Sequence, residues 1–96
     1  MGNRLVSVYG LDLNESTQTI TVPKDSKVLG AVVHHEGVGI TIEHCADRFN
    51  PVIPKEEIEF AVFQDGRHFY VDDYTYVGTI VLNFGNDIYQ VFYKKL

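Results

Sequence analysis

The chain contains one cysteine, three prolines, no tryptophan and only eight Lys plus Arg among 96 residues. A lone thiol, Cys45, excludes both an intrachain disulfide and a structural zinc site built from several thiolates, and it fits a reducing compartment. Thirteen Asp plus Glu outweigh the cations and give a formal net charge of -5, a balance that disfavours wholesale binding to a nucleic-acid backbone. Long apolar runs are also missing. None nears the roughly 20 residues of a membrane helix, and Met1-Gly2-Asn3-Arg4 opens without the apolar stretch of a secretory signal. These absences point to a protein that avoids membranes and works in the cytoplasm.

What the chain does have is an ordinary globular composition, 45% hydrophobic and 22% charged, in a length suited to one domain over residues 1–96. Its apolar runs fold back at Gly-containing corners: His35-Glu36-Gly37-Val38-Gly39, Gln64-Asp65-Gly66-Arg67 and Phe84-Gly85-Asn86-Asp87. Tight hairpins need positive φ at their central residues, which Gly, Asn and Asp supply at least steric cost. Strands are therefore expected over Arg4 to Leu13, Thr17 to Val22, Lys27 to His35, Ile40 to Cys45, Lys55 to Phe63, Arg67 to Val71, Thr75 to Asn83 and Ile88 to Lys94. The predicted fold is all-β, with antiparallel hairpins forming a small sandwich or partly open barrel of about seven or eight strands. Two prolines within Asn50 to Pro54 make Ala46 to Pro54 an irregular connection between the two halves.

Helix competes only over Lys55 to Val62, where Pro54 suits a first helical position. The alternation of Ile58, Phe60 and Val62, running into Asp65-Gly66, favours a strand there. Centring a hairpin on Asp65-Gly66 pairs Val62 with Phe69 and Ala61 with Tyr70, and puts Phe60, Val62, Phe69 and Val71 on one face. The other face then carries Phe63, His68 and Tyr70 beside Arg67, which mixes flat rings with a planar cation and an imidazole. That face is the expected contact surface, with Lys24 and Lys27 as further binding residues.

Around Gly85-Asn86, pairing groups Tyr76, Ile80, Leu82, Tyr89, Val91 and Tyr93 on one face, with Val77, Val81, Ile88 and Phe92 on the other. Val62, Phe69, Ile80, Leu82 and Val91 are the expected core. A hairpin apolar on both faces implies either central strands covered on both sides or one face packed against a second copy, and the expectation is the latter, most simply a symmetric dimer that uses Tyr89, Val91 and Tyr93 or Ile88 and Phe92.

The four histidines do not assemble a metal site on paper. His34 and His35 point to opposite faces if both are in a strand, and His35 and His44 are offset by roughly 13 Å at the strand rise. His34 and Glu43 would be diagonal neighbours. Cys45, adjacent to His44, reads as a small buried thiol, and no nucleophile elbow, phosphate loop or dinucleotide fingerprint is present. No catalytic residue, metal or cofactor is assigned, and the expectation is a binder, not an enzyme.

The segments Val22-Pro23-Lys24-Asp25-Ser26-Lys27-Val28-Leu29, Tyr76-Val77-Gly78-Thr79 and Tyr89-Gln90-Val91-Phe92 resemble a family of small uncharacterised proteins from tailed bacteriophages. The similarity runs over roughly residues 17 to 93. Family members often carry Trp in the second strand of the middle hairpin and His in the closing strand, where this chain has Ile42 or a neighbour and Gln90. The resemblance implies a phage or prophage origin and therefore a host bacterial cytoplasm, and it transfers no activity. Three functions follow as expectations: an accessory protein that binds and inhibits or redirects a host defence factor; an oligomer that sequesters a small phosphorylated, nucleotide-like signal; or a minor virion or assembly protein.

Overall fold

The computed structural model describes residues 3–47, 50–66 and 73–96. Within them the alternating segments form seven strands: β1 (Arg4–Gly10), β2 (Thr17–Pro23), β3 (Lys27–His34), β4 (Gly37–Cys45), β5 (Lys55–Gln64), β6 (Thr75–Leu82) and β7 (Asp87–Lys95). They make two antiparallel sheets, β1-β4-β3 and β2-β5-β7-β6, in an open sandwich and not a closed barrel. The edge strand β3 lies along the edge strand β6 of the other sheet.

The central strands supply most of the core. Val38, Ile40 and Ile42 of β4 face Ile58, Phe60 and Val62 of β5, with Leu11, Val22, Ile80 and Val91 completing the buried cluster. Val62, Ile80 and Val91 are buried as the alternation predicts, and Leu82 packs against them partly buried. Phe69 lies outside the described residues. The segment from Lys55 to Gln64 is strand throughout, because period-2 burial of Ile58, Phe60 and Val62 outweighs the helical spacing.

Several pairings differ from the local reading. The Asp65-Gly66 turn is present, with Gly66 at φ 88, but β5 is flanked by β2 and β7. Ala61 pairs with Thr17 on one side and Phe92 on the other, and Val62 pairs with Val91 while its N–H donates to Ser16 O; the expected partners Tyr70 and Phe69 lie outside the described residues. A turn fixes only chain direction. A strand this apolar is stabilised more by a central position with two neighbours than by its sequence-adjacent hairpin.

In the β6–β7 hairpin a bulge at Val77 shifts the register, so that Tyr76 pairs with Phe92 on the outer face instead of joining Ile80 and Tyr89 inside. Val91 is fully buried, and Tyr89 and Tyr93 pack partly buried against the core of the same chain.

The β3–β4 corner is tighter than expected. His35 and Glu36 alone form it, at φ 47 and 62, and β4 starts at Gly37. His35 thus leaves the strand, and its ring sits 4.1 Å from that of His34 instead of on the opposite face. His34 pairs with Gly37, whereas Glu43 pairs with Val6 and Lys27, so His34 and Glu43 are not neighbours.

Candidate interaction surface

The six expected binding residues divide among three places. Phe63 stands on the outer face of the four-stranded sheet, where its ring centroid is 6.3 Å from that of Phe92. Arg67, His68 and Tyr70 lie outside the described residues. Lys24 sits in the β2–β3 turn and Lys27 starts β3, both exposed at the far end of the strands. Eight residue steps along β5 separate Phe63 from Lys55, the partner of Pro23, which is roughly 26 Å at the strand rise. Phe63 and the two lysines therefore belong to different surfaces.

The outer sheet face is built by alternation. Tyr76, Thr79 and Val81 of β6 stand beside Ile88, Gln90 and Phe92 of β7, and Phe63 of β5 pairs with Gln90. The rings of Tyr76 and Phe92 are 5.5 Å apart in an edge arrangement, which extends the row from Phe63. Tyr76 is 54% exposed and Val81 51%. Polar groups lock the row in place: Thr79 Oγ1 donates to Gln90 Oε1 at 2.6 Å, which leaves the Tyr76 hydroxyl, 2.5 Å away, to donate to Thr79 Oγ1.

Along the same face the Tyr74 hydroxyl donates to the Glu59 carboxylate, Lys94 Nζ lies 3.7 Å from Glu59, and it also sits 4.8 Å over the Tyr74 ring. The hydrogen bond to Glu59 is the main cause that pushes the Tyr74 phenol up to about 12, with burial and the carboxylate charge adding to it. A raised phenol pKa means the bond contributes stability fully below the ordinary value near 10 and loses it as pH climbs through about 12. Glu59→Gln is expected to return the Tyr74 transition toward 10 in a tyrosinate absorbance titration, and an unchanged transition would refute the assignment.

At the far end, a pocket of about 340 Å³ opens between the start of β1, the β2–β3 turn, the end of β4 and residues 50–54. Arg4, Lys24, Asp25, Cys45, Ile53 and Pro54 line it. The loop is fixed there by Lys24 N–H donating to Pro54 O and Ile53 N–H to Asn50 O. Arg4 Nε holds Glu43 at 3.1 Å and its Nη2 donates to Asp25 O, whereas the Lys24 side chain makes no ion pair among the described residues. Cys45 is half-buried here, more open than the buried thiol expected.

Two groups escaped the sequence reading. His44 is fully buried, and its Nδ1 lies 2.6 Å from the Cys45 carbonyl, which only accepts, so Nδ1 carries the hydrogen. Its Nε2 meets Ser7 Oγ at 2.7 Å. Alternating burial along Val38, Ile40 and Ile42 extends to position 44 and was the available signal. The other is Phe84, fully exposed at the β6–β7 turn; a phenylalanine beside a turn glycine was its only mark in the sequence.

Taken together, the open seven-stranded sandwich with an aromatic outer face defines a small all-β domain. The chain matches, over residues 3–96, a family described as a domain of unknown function, DUF7352, and it belongs to that family. No curated protein and no solved structure matches it. Among the described residues no helix is long and apolar enough to cross a membrane.

Proposed function

We propose that this chain is a non-enzymatic accessory protein of phage or prophage origin that binds a host protein in the bacterial cytoplasm and inhibits or redirects it. The observation that carries this reading is the outer face of the four-stranded sheet, where half-exposed Tyr76 and Val81 stand beside a polar-locked aromatic row. Rigid aromatic side chains contribute disproportionately to interface energy, and the Thr79–Gln90 bond lowers the entropy lost when Tyr76 is immobilised by a partner. Its acidic composition suits a partner with a basic surface.

A partner captured from host lysate on the tagged wild-type chain, then purified and titrated, tests the reading. Tyr76→Asp with Val81→Asp is expected to weaken that partner's binding at least tenfold, about 1.4 kcal/mol or more, with an unchanged far-UV circular dichroism spectrum. Equal binding by the folded double variant would sink it. A second reading, sequestration of a small phosphorylated ligand, draws on Lys24 and Arg4 at the 340 Å³ pocket. Native mass spectrometry distinguishes the two, since a retained ligand adds a discrete small mass to the chain.

A further inference from the structure

The two ends of the sandwich differ in charge and in shape. One end gathers the β1–β2 and β3–β4 connections, the end of β5 and the β6–β7 turn, and it carries Asp12, Glu15, Glu36, Asp65 and Asp87. Every described Lys and Arg lies toward the other end, Arg4, Lys24, Lys27, Lys55, Lys94 and Lys95, interleaved there with Asp25, Glu43, Asp47, Glu56, Glu57, Glu59 and Asp73. From the acidic end Phe84 projects fully exposed, with Asn83, Phe84 and Gly85 at φ 52, 56 and 92. Holding two non-glycine residues in the left-handed region is costly, and here it presents an apolar ring to water. At the other end the 340 Å³ pocket offers Ile53, Pro54 and Cys45 as its apolar wall, with Lys24, Asp25 and the Glu43-paired Arg4 at its rim. A cavity of about 150 Å³ already accommodates a benzene ring.

We infer that Phe84 of one copy inserts into the Arg4–Lys24–Ile53–Pro54 pocket of a second copy, giving a head-to-tail assembly. The strands of seven to ten residues hold the two sites roughly 23 to 33 Å apart, so a chain cannot fill its own pocket. The Lys24 ammonium, and not the net charge of the end, orients the contact. Glu36 and Asp87, which flank Phe84, approach the rim where the Lys24 side chain has no ion pair among the described residues. The alternative of two Phe84 tips meeting about a twofold axis brings both acidic ends together, which like charges oppose. A heterologous contact of this kind closes into a ring or extends as a filament.

Mixing complementary variants tests the contact directly. Wild type is expected to sediment, at about 100 μM and low salt, as species larger than the 10.9 kDa chain, and to shift toward monomer as salt rises. Phe84→Asp, which lacks the knob, and Lys24→Glu with Ile53→Asp, which lacks the socket, should each be monomeric. Their equimolar mixture keeps one intact knob and one intact socket and should sediment as a dimer. A monomeric wild type, an oligomer that survives Phe84→Asp, or a mixture that stays monomeric would each overturn the inference. If the socket double variant does not fold by circular dichroism, Lys24→Glu alone takes its place in the mixture, with the same outcomes required. Loss of host-protein binding through Tyr76 leaves this result unaffected, so the two proposals fail separately.

Discussion

Phe60→Ala is expected to lower the unfolding free energy by about 3–5 kcal/mol. Phe60 is 0% exposed, lies on β5 between β2 and β7, and faces the β4 residues Ile40 and Ile42 across the sandwich. Its ring centroid is 6.3 Å from that of Tyr93, the residue it pairs with on β7. Truncation removes the transfer energy of the ring and leaves a cavity that two hydrogen-bonded neighbours prevent β5 from collapsing into. Domains of this size have total stabilities of only about 5–15 kcal/mol, so the variant sits near the edge of folding. At roughly 4–8 °C per kcal/mol, the midpoint should fall by roughly 12–40 °C in a thermal melt. A loss under about 1 kcal/mol would place the ring outside the core and contradict the β2-β5-β7 arrangement.

That position illustrates what the sequence makes legible. The period-2 burial of Ile58, Phe60 and Val62 follows directly from their spacing, because a strand has no other way to put three apolar residues on one side. The partners of β5 do not follow from spacing. Gly66 marks a real turn, yet Ala61 is bracketed by Thr17, 44 positions earlier, and Phe92, 31 later. Such pairings are set by the summed burial of the whole sandwich, which no window of the chain records. The bulge at Val77 is silent in the same way: it moves Tyr76 to the outer face while leaving the composition of β6 unremarkable.

The site was legible in part for related reasons. Phe63 is recognisable as an outer-face residue from alternation alone, and it keeps that place although its neighbour is Gln90 of β7. Lys24 is recognisable as a turn lysine, but the pocket beside it requires Arg4, Cys45 and Ile53 to converge from three separate parts of the chain. Phe84 was obscured by its own context. The adjacent glycine signals a turn, and turn chemistry explains Gly85 without saying that the phenylalanine before it is fully exposed at positive φ.

Gly39→Ala is expected to destabilise the protein by about 1–3 kcal/mol, whereas Gly30→Ala in the same sheet should be neutral or stabilising by up to about 1 kcal/mol. The sequence presents Gly39 as a corner glycine, but it lies inside β4, paired with Gly10 of β1 and Val32 of β3. It needs no unusual φ; it needs space. An added Cβ would meet His34 Cβ at 2.7 Å and Val8 Cγ1 at 2.8 Å, closer than carbon atoms approach without displacement. The His34 contact is to the first side-chain carbon, which moves only with the β3 backbone, so rotation of a side chain cannot relieve it. Gly30, beside a bulge in β3, has no atom within 4 Å of its would-be Cβ, and alanine there mainly restricts the unfolded chain. Urea unfolding of the two variants provides the comparison, with the midpoint falling for Gly39→Ala and holding or rising for Gly30→Ala. Equal effects at both positions would mean that His34 does not pack over Gly39 on the central strand, and with it the tight His35–Glu36 turn that holds His34 there would be refuted.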